Sequence, residues 1–156
     1  PHGRPVTEIQ MADLLREVRR RFDFCLLDAP AGLGRGFQLA TCAADRCVVV
    51  TTADASSLRD AQHTVMELDR FPSGALHLVV NRVRKKLLRQ LHATIDDAID
   101  KAGLPLLGVV PEDDALPLCM NRGVPILLAD GQSAATAYRN IAKRLQGERV
   151  PLLRIR

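Results

Sequence analysis

The sequence predicts an α/β fold, a mostly parallel sheet with helices on both faces, and three observations predict it. Short apolar runs alternate with helix-length segments along the chain, the order that βαβ units produce. The runs are continuous in Val, Leu and Ile rather than alternating with polar residues, as strands buried on both faces require. Three of the four runs end in polar or loop-forming sequence, at Asp28–Gly32, Asn81–Arg82 and Pro111–Asp113, where open parallel sheets hold their ligands. Neither an internal repeat nor a linker interrupts residues 1–156, so one domain is expected.

The elements follow in order. Thr7 and Gln10 have the spacing of a capping box, which starts a helix running to about Arg21 with Ile9, Leu14, Leu15 and Val18 on one side. Phe22–Leu27 reads as a strand closed by Asp28. Ala29–Gly36, with three glycines and a proline, reads as a loop. A short helix over Phe37–Ala43 leads to a strand over Cys47–Thr52. Ser56 or Ser57 is placed to cap a helix to about Arg70, which Pro72-Ser73-Gly74 breaks. Leu76–Val80 is the third strand. The stripe Leu88, Leu91, Ile95, Ala98 and Ile99 predicts one further helix, with Gly103 as its C-cap. Leu106–Val110 is the fourth strand, and helices over Ala115–Arg122 and Ser133–Leu145 complete the set.

Composition narrows the class. Apolar residues at 47% and charged residues at 26% give the balance of a globular chain and argue against disorder. A chain of 156 residues can bury roughly two-thirds of its unfolded surface. With no Trp and one Tyr the core must be aliphatic, and no base-stacking platform for single-stranded nucleic acid is available. A nucleic-acid partner is therefore not expected. The net charge of +4 gathers in Arg16, Arg19, Arg20 and Arg21, and in Arg82, Arg84, Lys85, Lys86 and Arg89. These are either solvated helix faces or patches for an anionic partner. The four cysteines form no C-x-x-C pair, so neither a disulfide frame nor a zinc site is suggested, and a reducing cytosol fits. No apolar run reaches the length of a membrane span, and no signal peptide precedes the first helix.

Asp28, at the end of an apolar run, stands where a P-loop ATPase places its magnesium-side carboxylate. An aspartate there can equally cap the following turn. Gly32, Gly34 and Gly36 would let a loop approach a phosphate and change shape when it leaves, or simply make a flexible turn. Their spacing is not the dinucleotide fingerprint, which removes a Rossmann cofactor site. His2, His63, His77 and His92 pair with no cysteine or serine in a catalytic pattern. His77 falls in a strand and is expected to be a satisfied structural histidine. Asp96, Asp97 and Asp100 fall on the polar side of a helix rather than forming a glycosidase pair.

Several of these segments, taken in order, resemble the MinD/ParA family of P-loop ATPases. They are Asp28-Ala-Pro-Ala-Gly-Leu-Gly-Arg-Gly-Phe37, Val48-Val-Val-Thr-Thr52, Ser56-Ser-Leu-Arg-Asp-Ala61 and Val80-Asn-Arg82. Gly103-Leu-Pro-Leu-Leu-Gly-Val-Val-Pro-Glu-Asp113 and Asn121-Arg-Gly-Val-Pro125 continue the series. The resemblance runs from about Val6 to Leu153 and implies a P-loop NTPase fold of the MinD-like class, incomplete at its N-terminal half. It implies ATP and Mg2+ as cofactors. Asp28 would be the Walker B aspartate, acting on Mg2+ through water, and Ala29–Gly32 the switch II loop, with Gly32 facing the γ-phosphate. Asn81 and Arg82 would hold one side of the adenine, and Pro111, Glu112 and Asp113 the other. Ser56, Arg59 and Asp60 would belong to the surface for the septum inhibitor and the topological-specificity protein; Ser56 and Asp60 read equally well as a helix cap and a first-turn acid. The family resemblance further implies an ATP-dependent homodimer and a place in the cytoplasm, peripheral on the inner face of the membrane. Asn121–Pro125 is the candidate for part of the dimer contact.

Departures from the family pattern carry their own expectations. No G-x-x-x-x-G-K-[ST] run lies in the chain, nor the early aspartate that would position the attacking water. The C-terminal membrane helix is not visible either, because Leu152, Leu153 and Ile155 are too few for an interfacial anchor. The chain is therefore expected to be a C-terminal portion, inactive by itself because nothing in it grips the phosphates. Without the P-loop strand beside it, the Asp28 strand would lack a neighbour. Poor solubility, or dependence on the missing half, is the expected consequence.

Overall fold

The structure, a computed structural model, describes residues 5–72, 74–90, 94–128 and 133–153. The chain forms two compact units, Pro1–Cys47 and Val48–Arg156.

The first unit holds two helices, α1 (Glu8–Arg19) and α2 (Arg35–Thr41). The capping box read from the sequence is present in full: Thr7 Oγ1 accepts from the Gln10 N–H, and Gln10 Oε1 accepts from the Thr7 N–H. Arg19 donates to the Ala43 carbonyl and pairs with Asp45 at 2.7 Å, while Arg35 donates to the Val6 carbonyl at 2.6 Å. The arginines at the end of α1 lie on a solvated face and pair locally, Arg16 with Asp13 at 2.9 Å and Arg20 with Glu17 at 3.3 Å.

The strand expected over Phe22–Leu27 is not formed. The segment pairs with no strand of the sheet, and Phe22, Phe24 and Leu26 stand 63%, 68% and 90% exposed. Its sequence has the hydrophobicity of a buried strand, but a strand needs a neighbour for its backbone groups, and local sequence cannot supply one.

The second unit is built on a three-stranded sheet in the order β1 (Cys47–Thr51), β2 (Leu76–Val83), β3 (Leu106–Pro111). Strands β2 and β3 run parallel, as the intervening helices require. Strand β2 is central and buried on both faces: Leu78, Val79 and Val80 are at most 5% exposed. Strand β1 departs from the expectation of double burial, for Val48 and Val50 are 37% and 60% exposed while Val49 and Thr51 are buried.

Helices α3 (Ala55–Met66), α4 (Lys85–Gln90), α5 (Ile95–Ala102), α6 (Ala115–Asn121) and α7 (Ser133–Leu145) surround the sheet. Helix α3 packs on α5, α5 on β2, and α7 on β3. The core on the α7 side joins Val79, Leu107 and Val110 to Ala134, Ala135 and Ala137. Small alanines let α7 lie close, and Gly108 lets it lie closer: a Cβ there would meet Ile141 Cγ1 at 2.4 Å.

Several helix boundaries differ from the sequence reading: α2 spans Arg35–Thr41 rather than Phe37–Ala43, and α3 ends at Met66 rather than near Arg70. Asp54, not Ser56 or Ser57, caps α3, because its carboxylate accepts from the Ser57 N–H at 3.0 Å. The helix expected across Leu88–Ile99 is two helices, α4 and α5; Leu91 lies outside the described residues. Thr94 and Asp97 form a reciprocal capping box that starts α5 anew. Gly103 ends α5 as expected, at φ 67°.

Candidate functional site

The C-terminal ends of β2 and β3 converge. The pairing Val80 with Val109 is followed by Val83 with Pro111, so β2 carries one residue more than β3 across this interval. That extra residue is a bulge, a device that re-aims side chains next to functional sites. Arg82 within it has φ 53°, the one positive value among the described residues other than glycine. A side chain in that conformation is held there by its surroundings.

Glu112 supplies the hold. Its N–H donates to the Val83 carbonyl at 3.1 Å, and its carboxylate pairs with Arg82 Nη2 at 3.2 Å and with Arg84 Nε. Partial burial alone would push this carboxyl up, but the hydrogen bonds from Arg84 and Arg82, together with their charges, hold it below the usual range. Asp113, the next residue, is committed elsewhere. It accepts from the N–H groups of Ala115 and Ala134, both at 3.1 Å, and from the Ser133 hydroxyl at 3.3 Å. Burial would raise its pKa, and those donors, led by the Ala134 N–H, lower it further than burial raises it. The side chain of Asp113 thus ties β3 to the start of α7.

Asn81, Arg82, Pro111 and Glu112 are therefore brought together at one end of the sheet, with Asn81 half-buried. The acids of Pro111–Asp113 spend their carboxylates on protein partners, which leaves the backbone and ring of this segment for a ligand. Arg84 was counted in the sequence only as part of a basic cluster. No local signal marked its place, because it lies one residue past the end of β2 and its partner follows the end of β3.

At the end of β1 lies a second polar knot. Thr52 Oγ1 lies within hydrogen-bonding reach of both the Asp54 carboxylate and Ser57 Oγ, the latter at 2.8 Å. The Thr52 hydroxyl and the Ser57 N–H hold the Asp54 pKa down to about 2. Ser56, Arg59 and Asp60 lie beyond it on α3, all exposed. Asp28 and Gly32 belong to the first unit, where both are exposed and Gly32 has φ 87°, a backbone setting that glycine adopts without cost. Gly36 is required there for another reason, since a Cβ would meet Pro30 Cγ at 2.4 Å. His77 in β2 is half-buried, and its Nδ1 is buried without a hydrogen-bond partner, contrary to the satisfied histidine the sequence suggested.

The chain is similar to known proteins over most of its length. A family model described as cellulose biosynthesis protein BcsQ matches residues 5–145. The septum site-determining protein MinD of Bacillus subtilis is 37% identical over 145 residues, covering 92% of this chain and 54% of its own. The chain belongs to the MinD/ParA-type family.

Solved structures agree with that membership. MinD of Aquifex aeolicus superposes with a TM-score of 0.88 at 30% identity, over 96% of this chain and 64% of that one. The MinC:MinD cell division complex of the same organism gives 0.89 at 29% identity, over 97% of this chain and 64% of that one. This MinD-type chain spans about half the length of the curated relatives it matches.

Proposed function

We propose that this chain is the base-binding and magnesium-side portion of a MinD-type ATPase that takes part in placing the bacterial division site. The observation that carries the reading is the joined end of β2 and β3. There Asn81, Arg82 and the Pro111–Glu112 segment form a polar rim beside a half-buried amide. An Asn side chain offers a donor and an acceptor together, which suits the edge of adenine. Asp28 and Gly32 supply the Walker B carboxylate and the switch II glycine. Magnesium takes one or two carboxylates and completes its shell with water and phosphate oxygens. Asp28 fits such a role as an exposed single carboxylate.

Phosphates bound by P-loop amides and a lysine account for most catalysis in this class of reaction. No such run lies within these residues, so we assign phosphate binding to sequence outside them. The working protein then binds Mg-ATP, dimerises and cycles on the membrane. The exposed Ser56, Arg59 and Asp60 of α3 meet the septum inhibitor and the topological-specificity protein. We assign a peripheral attachment to the membrane; among the described residues no helix is long and apolar enough to cross one. The second reading is a non-catalytic module that keeps only the α3 surface, with a ParA-like partitioning ATPase as the third.

Titration with Mg-ATP separates these readings, comparing the chain with a form extended upstream. We expect tight binding by the extended form alone, with hydrolysis reduced about a hundredfold or more by Asp28→Ala. Tight binding by these residues alone would overturn the assignment of the phosphates. No binding by either form would leave the interaction module, and salt-sensitive binding to duplex DNA would favour partitioning.

A further inference from the structure

Arg82 sits in a conformation that residues other than glycine resist, inside a bulge, directly after the asparagine assigned to the base. Such strain persists only where the surroundings over-determine it, and bulges of this kind re-aim neighbouring side chains. Among the described residues, the side chain that pairs with Arg82 is that of Glu112. Glu112 reaches across from the end of β3, takes Arg82 on one carboxylate oxygen at 3.2 Å and Arg84 on the other, and adds its own N–H to the Val83 carbonyl at 3.1 Å. The two arginines flank Val83, which is buried, so the clamp closes over a fixed point of the core.

We infer that Glu112 is a positioning residue: clamped by Arg82 and Arg84, it holds the β2 bulge and thereby sets Asn81 for the purine, rather than touching the base itself. This rests on the nucleotide reading above. Both carboxylate oxygens are already engaged by guanidinium groups, so a contact to an adenine amino group would have to share an oxygen with one of them. The two arginines are 69% and 59% exposed in their side chains, where an isolated ion pair contributes little. Glu112 is only 22% exposed and serves two guanidiniums at once, which makes the arrangement a small network rather than a surface pair.

The inference is tested in the upstream-extended protein by steady-state ATP hydrolysis and by the preference for ATP over GTP. Glu112→Gln keeps the size of the side chain and removes its charge. We expect the KM for ATP to rise about tenfold, the scale set by losing the hold on one αL residue. The preference for ATP should fall with it, while kcat at saturation stays within about twofold. The decisive variant adds Arg82→Gly to Glu112→Gln. Glycine adopts φ 53° without cost, so the bulge no longer needs its clamp and the double variant should match Arg82→Gly alone in KM, whatever Arg82 itself gives the nucleotide.

A base contact by Glu112 would raise KM by the same factor with glycine at position 82 as with arginine, and that result would overturn the inference. So would an unchanged KM in Glu112→Gln. Should that protein fold poorly, Arg84→Gln reads the same division between KM and kcat with Glu112 in place, and an unchanged KM there also counts against the clamp. Absence of ATP binding by the unsubstituted protein would instead bring down the nucleotide reading, and this inference with it.

Discussion

Asp54 occupies the turn between β1 and α3 and answers two needs at once. Its carboxylate caps the helix through the Ser57 N–H and engages the Thr52 hydroxyl. Replacing it with Ala should cost about 1 kcal/mol, the usual loss for a helix N-cap, seen as a lower urea midpoint with an unchanged slope. The charge adds a dependence on pH. The folded-state pKa, about 2, lies below the ordinary 3.8, so the contribution is complete above about pH 4 and is lost as pH falls toward 2. Asp54→Asn keeps a capping oxygen without the charge, and its stability should be flatter than that of the parent across that window. The sequence offered two serines as the cap and the structure chose the aspartate before them. Serine and aspartate are equally good caps, and which one is used depends on where β1 ends.

Helix α7 was legible in the sequence to both ends, Ser133 and Leu145, because its apolar face is periodic and its tertiary neighbours agree with that face. Its distance from β3 was not legible. That distance is fixed by Gly108, whose missing Cβ leaves room for Ile141. Gly108→Ala should therefore cost about 1–3 kcal/mol by overpacking. Combined with Ile141→Ala, the loss should be smaller than the sum of the two separate changes, because the second substitution removes the atoms that the first one meets. A chemical denaturation cycle on the four proteins measures this, and simple additivity would mean that α7 does not approach as closely as described. The split of the expected Leu88–Ile99 helix into α4 and α5 has the opposite origin. It was written locally, in Thr94 and Asp97, but a helical stripe running through the same residues concealed it.

Buried apolar residues are unevenly shared between the two units. In the first, among the described residues, Leu15 and Thr41 are the buried positions, whereas the second holds Leu58, Leu68, Leu78, Val80, Ala98, Val109 and Val110, each at most 4% exposed. A unit of under fifty residues with so little core is below the size at which burial alone sustains a fold. Amide hydrogen exchange on the isolated chain should therefore be fast through α1 and α2 and slowest in β2 and β3. Equal protection in the two units would contradict this. Phe22, Phe24, Leu26 and Val50 add apolar surface that is 60% or more exposed at each residue.

By itself the sequence determined the α/β class, three of the four expected strands, the Thr7 capping box, the Gly103 stop and the motifs that mark the MinD/ParA-type family. Each of these is written in residues close together in the chain, where periodicity, caps and turn chemistry act. Tertiary structure alone decided that Phe22–Leu27 would go unpaired, that β1 would leave Val48 and Val50 uncovered, and that Arg82 and Arg84 would share Glu112. Those outcomes depend on which backbone or side chain arrives from far along the chain, and a strand, a buried face or an ion pair exists only when its partner is there.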